Sequence, residues 1–143
     1  MIFNQAQKSS IASRISFLEV ELRALAEFKK LDYKTYMEDR PVRRNVERII
    51  ENVVNALIDI SKIVLADKAA GEIPGTYSEV IIKLATLKII DFTLAEKLAG
   101  YVRLRNYLAH EYLDARWNKI KNFPQEAASP FEQFIEQVKK TIA

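Results

Sequence analysis

From Val42 to Ala70 the chain meets neither glycine nor proline, and apolar residues return every three or four positions across that stretch. Val46, Ile49, Val53, Ile60 and Val64 form one stripe, widened by Ile50, Val54 and Leu57. That spacing is the period of an α-helix with one apolar face. It predicts a long helix from Pro41, placed in the first turn where its missing N–H costs nothing, to about Asp67. The whole chain of 143 residues holds only three Gly and four Pro. So few breakers disfavour a sandwich of many short strands and favour long helices.

The flanking segments read the same way. Ile11, Ile15, Leu18, Leu22 and Leu25 alternate in steps of four and three, predicting a first long helix from Ser10 to Lys30. Asp32 can cap a brief helix from Tyr33 to Glu38. Gly71 is placed to close the second long helix, and Pro74-Gly75 to turn the chain. Thr76 or Ser78 can cap a third helix from about Tyr77 to Lys88. A fourth is expected to start at Asp91 or Thr93 and to run to about Asp114 or beyond. Asn122-Phe123-Pro124 breaks the chain, and Ser129-Pro130 is a cap and first-turn proline for a last helix to Ile142. The expected architecture is all-α: an up-and-down four-helix bundle with additional short helices, one domain spanning residues 1–143.

Composition narrows function more than fold. With no cysteine, neither a disulfide framework nor a thiolate metal site can form. A single histidine argues against a protein-only zinc site. The first residues lack the basic and apolar regions of a signal peptide, and no apolar run is long enough to span a bilayer. The chain reads as cytoplasmic. A net charge of +3 permits nucleic-acid binding without arguing for it.

The residues able to do chemistry gather in one octet, Arg105-Asn106-Tyr107-Leu108-Ala109-His110-Glu111-Tyr112. His110 is the histidine, with an unperturbed pKa close to neutral. Arg105 is a natural clamp for phosphate. On a regular helix, Leu94, Leu98, Tyr101, Val102, Leu108, Ala109 and Tyr112 share a broad apolar face, and Arg105 falls near its middle. Arg103, Asn106 and His110 lie on the other side, with about 140° between Arg105 and His110. A buried guanidinium must be paired. Asp59 and Glu51 of the second long helix are candidate partners, the alternatives being a snorkelling side chain or a dimer groove. Asp59 belongs to a polar stripe with Arg44, Arg48, Asn52, Asn55 and Lys62, flanked by Glu47 and Glu51; for most of these a solvated face is the plainer reading. To act together, Arg105 and His110 require a long reach by Arg105, a loosened helix near His110, or a second subunit.

The octet fits Arg-x4-His-x-Tyr, and in this it resembles HEPN-domain proteins, particularly HepT-like toxins. Val46–Ala66 is similar to the second long helix of that group, and Ile73–Leu84 to the turn and short helix that follow. The likeness covers most of Arg40 to Tyr112, in the expected order. Gly100-Tyr101-Val102-Arg103-Leu104 departs from a common form of the group, with more spacing and an extra arginine before the motif. The resemblance implies a metal-independent endoribonuclease without cofactor, acting as a homodimer whose composite groove holds RNA. It implies Arg105 and His110 as catalytic residues and Asn106 as a supporting one, and it leaves Arg103 as an additional phosphate contact. It also implies a partner, a small nucleotidyltransferase of the MNT type, acting as antitoxin by adenylylating Tyr112. The fitting mechanism is attack of a 2′-OH on the adjacent phosphorus, with His110 as general base or acid and Arg105 stabilising the phosphoryl oxygens. The competing readings are a non-catalytic, nucleotide-binding partner subunit of a nucleotidyltransferase, and a helical dimer in which the octet only holds the interface.

Overall fold

A computed structural model describes residues 3–68, 74–110 and 112–143, except for the side chains of Asp67, Lys68 and His110. Among the described residues every regular element is a helix. Their order is α1 (Gln5–Ala26), α2 (Tyr33–Glu38), α3 (Arg40–Lys68), α4 (Tyr77–Thr86), α5 (Phe92–Val102), α6 (Leu104–His110), α7 (Leu113–Ile120), α8 (Phe123–Glu126) and α9 (Ala128–Ile142). Helix α1 packs on α3, α3 on α5, α5 on α9 and α9 back on α1, so these four enclose the core of an all-α helix bundle. The short helices are additions to it, and α4 lies over α3 and α5.

The expected stripes are the buried ones. Ile11, Ile15, Leu18 and Leu25 line the core from α1. On α3, Val46, Ile50, Val53, Val54, Leu57, Ile60 and Val64 are fully enclosed. Each contributes about 1.5–3 kcal/mol through the apolar surface it removes from water. Burial on α3 is wider than one stripe, since Ala56, Ile58, Ser61 and Leu65 are covered too. The reason is tertiary: α1 covers one side of α3 and α4 another. Ser61 meets its enclosure by donating its hydroxyl to the Leu57 carbonyl at 2.7 Å.

Several boundaries differ from expectation for local reasons. Helix α1 starts at Gln5, because Asn4 and Gln7 form a reciprocal capping box with both bonds at 2.8 Å. Thr76 is the cap of α4 and accepts from the Glu79 N–H at 3.2 Å. Asp91 precedes α5 but makes no side-chain cap, exchanging hydrogen bonds with Gln137 of α9 instead. The break expected at Asn122-Phe123-Pro124 is the short helix α8, with Pro124 in its first turn. Helix α9 begins at Ala128, so Ser129 lies inside it rather than capping it. Gly71, expected to close α3, lies outside the described residues. No helix among the described residues is long and apolar enough to cross a membrane.

Candidate active site

The expected fourth helix is not continuous. It is divided into α5, α6 and α7, with interruptions at Arg103 and after His110. At Arg103 the backbone stays right-handed, but its N–H turns to the Gly100 carbonyl at 3.2 Å, and the Asn106 N–H to the Arg103 carbonyl at 3.1 Å. This is the tighter i→i+3 pattern that often marks the end of an α-helix. A single wheel therefore cannot be laid from α5 through the octet to Tyr112. Ala109 and Tyr112, expected on the apolar face, are exposed, and Tyr112 is 86% accessible. Helix α6 ends at His110 and α7 begins at Leu113.

Arg105 is half-buried, not enclosed in the core. It lines a solvent-open cleft of about 290 Å³ together with Arg103, Asn106, Val102 and the segment Gly75–Ser78. Its guanidinium carbon lies 5.3 Å from the centre of the Tyr77 ring. The Lys62 ammonium, arriving from α3, lies 4.5 Å from the same centre. The partner of Arg105 is thus an aromatic face, a favourable electrostatic seat for a cation. Asp59 is exposed, and among the described residues no hydrogen bond or ion pair joins it to Arg105. Glu51 pairs with Arg48 at 3.7 Å.

The structure thus brings together Arg103, Arg105 and Asn106 on one cleft. The backbone of His110 ends α6, while its side chain and all of Glu111 lie outside the described residues. Tyr112 stands at the N-terminal boundary of α7 with extended backbone.

Behind this strand of residues is a polar clamp that the sequence did not announce. Arg116 of α7 reaches Glu47 of α3 at 2.9 Å and also donates to the Leu108 carbonyl at 3.2 Å. The second bond satisfies a carbonyl in the last turn of α6, one of the groups a helix end leaves unpaired. The other Glu47 oxygen accepts from the Tyr36 hydroxyl. Arg43 closes the back of the clamp by donating to the Tyr36 and Met37 carbonyls, both at 3.0 Å. Trp117 packs against Tyr36 and Tyr33, with centres 5.2 and 6.1 Å apart. Burial, followed by the hydrogen bond to Glu47 and that carboxylate's charge, pushes the Tyr36 phenol well above its ordinary value. Lys119 adds a contact from α7 to α6, 4.4 Å from the Tyr107 ring. The segment carrying His110 and Tyr112 is therefore anchored on both sides.

Tyr77, Lys62, Glu47, Tyr36 and Arg116 all escaped the reading of the octet. Glu47 was read as a flank of the α3 polar stripe, but it is nearly enclosed, its side chain 12% accessible. The available signal was its position one residue after Val46 on the apolar stripe, at the edge of the buried face.

Comparison with known proteins identifies the family and the fold. The family model described as Ribonuclease HepT-like matches residues 18–138. The tRNA nuclease HepT of Aphanizomenon flos-aquae is 26% identical over 128 residues, covering 90% of this chain and 86% of that protein. The tri-AMPylated HEPN toxin of Shewanella oneidensis, solved in complex with its MNT antitoxin, superposes with a TM-score of 0.80 at 22% identity, covering 96% of this chain and 99% of that one. A mutant form of the MntA–HepT toxin–antitoxin pair gives 0.78 at 23% identity, with 91% and 97% covered. YutE of Bacillus subtilis, a cytosolic protein of unknown function, gives 0.78 at 17% identity, with 99% and 92% covered. The two toxins and YutE have the fold in common with this chain. The match from residue 18 to residue 138, taking in every helix from α2 to α8, shows that this chain belongs to the HepT-like ribonuclease family.

Proposed function

We propose that this chain is the toxin of a HEPN/MNT toxin–antitoxin pair, a metal-independent endoribonuclease that cleaves RNA at a site completed across a homodimer. The observation carrying this reading is the cleft in which Arg103, Arg105 and Asn106 meet, with no carboxylate among its described lining residues. Such a cleft suits an anionic strand. In the proposed reaction the 2′-oxygen attacks the adjacent phosphorus while His110 takes its proton. The bond from phosphorus to the 5′-oxygen breaks, and that oxygen leaves with a proton. The products carry a 2′,3′-cyclic phosphate and a 5′-hydroxyl. Arg105 offsets the charge that builds on the phosphoryl oxygens, Arg103 holds a neighbouring phosphate, and Asn106 supports the arginine. Transfer RNA is the substrate class suggested by the curated relative, a tRNA nuclease.

The exposure of Tyr112 supports a regulatory reading. An MNT-type nucleotidyltransferase would transfer AMP from ATP: the phenol oxygen bonds to the α-phosphorus and pyrophosphate leaves. The negative charge and bulk added at Tyr112 would repel RNA. A tri-AMPylated toxin among the structural neighbours supports the same idea.

The test is purified protein with end-labelled tRNA, with and without EDTA. Cleavage that survives EDTA and disappears in His110→Ala supports the enzyme. Equal integrity of the RNA with wild type and His110→Ala removes it. For the switch, incubation with the cognate nucleotidyltransferase and ATP should add one or more AMP masses to wild type and none to Tyr112→Phe.

A further inference from the structure

The Lys62–Tyr77–Arg105 stack joins three elements that are remote in sequence. Lys62 comes from the second half of α3, Tyr77 from the first turn of α4 and Arg105 from α6. Both cations lie within 5.3 Å of one ring centre, and neither has an ion-pair partner among the described residues. Two like charges held at one aromatic ring repel each other, and that repulsion is relieved when an anion binds near both. Lys62 is half-buried, and its ammonium lies at the ring rather than at a carboxylate among the described residues. Tyr77 and Arg105 line the cleft that also holds Arg103, so the stack extends the cleft's positive charge toward α3. Tyr77 keeps 43% of its surface exposed, so the seat is open to a ligand.

We propose that Lys62 is a phosphate-binding residue of the RNA site, held in place by Tyr77, and that the bound strand runs from the Arg105 cleft toward α3. Tyr77 is then a positioning residue that sets the separation of Lys62 and Arg105. This rests on the RNA-cleaving reading of the same cleft. The strand is recognised by the spacing of its phosphates, without base readout by Lys62.

The experiment uses a fluorescein-labelled single-stranded RNA, 2′-O-methylated throughout so that it cannot be cleaved, and reads binding by anisotropy over a KCl series. Each phosphate contact on a single strand contributes about 0.7 to the slope of log affinity against log salt. Lys62→Gln should lower the magnitude of that slope by about 0.7, weakening binding about fivefold more at 0.1 M than at 1 M KCl. Lys62→Arg should restore it. Tyr77→Leu should reproduce the loss and Tyr77→Phe, which keeps the ring, should rescue it. Lys140→Gln, which removes a cation paired with Glu136 on α9, should leave the slope as in wild type. An unchanged slope in Lys62→Gln, or an equal fall in Lys140→Gln, overturns the inference while leaving cleavage by wild type intact. Failure of wild type to bind the RNA at low salt removes the RNA reading itself, and the inference with it.

Discussion

Arg116 and Glu47 are 69 residues apart in sequence and 2.9 Å apart in space. Through this contact α7 is tied to α3, and through the Arg116 bond to the Leu108 carbonyl the end of α6 is tied to both. The segment bearing His110 and Tyr112 lies between these anchors. The Arg116 and Glu47 side chains are largely removed from water, at 21% and 12% accessibility, and Arg116 Nε is buried without a partner among the described residues. The pair therefore has lost hydration that the single ion pair replaces only in part.

Removing one partner should cost more than removing both. Arg116→Met should destabilise the fold by about 2–4 kcal/mol, because Glu47 keeps its charge with only Tyr36 as a partner. The Arg116→Met, Glu47→Gln double variant should recover part of that loss. Urea unfolding of the four members of the cycle measures it, and strict additivity would contradict it. If the proposed RNA cleavage holds, Arg116→Ala should lower kcat with little change in KM, as expected of a group that orients α6 and α7 rather than binding RNA.

Alkaline stability should depend on Tyr36. Its phenol is raised above the ordinary value of 10.0 by burial and by Glu47. A raised folded-state value means that the contribution is fully present below about pH 10 and is lost as pH rises beyond it. Urea midpoints should therefore fall from about pH 9.5 to 11 in wild type. Tyr36→Phe should begin about 1 kcal/mol less stable at pH 8 and fall less steeply. Parallel curves for the two proteins would show that Tyr36 is not the group responsible.

Lys88 is a place where the chain can be improved. It has φ of 62°, the left-handed region, at the end of α4, where the Ile89 N–H reaches back to the Leu84 carbonyl and the Lys88 N–H to Ala85, both at 2.9 Å. This is the closing turn in which glycine is preferred. Lys88→Gly should raise stability by about 0.5–1 kcal/mol, the relief of left-handed strain exceeding the added entropy of the unfolded chain. A lower melting temperature would contradict this.

Arg105→Lys keeps the charge but loses the planar fork that can grip two phosphoryl oxygens. Cleavage should fall by about a hundredfold or more, with RNA affinity reduced far less. Single-turnover cleavage measured beside anisotropy separates the two. Equal losses in both would reduce Arg105 to a binding residue.

The sequence determined the class of fold through periodicity. The stripes of α1 and α3 need only the pitch of a helix and the exclusion of water, both set by neighbours in the chain. It also determined which residue types gather in the octet, and with them the family. It failed where a decision belonged to another helix. The interruptions at Arg103 and after His110 are not marked by proline or glycine at those positions, so the pattern reads through them. The seat of Arg105 on Tyr77 and the junction of Arg116 with Glu47 join elements whose approach follows from how the bundle closes. Contacts of that kind arise from packing in three dimensions, and no local spacing encodes them.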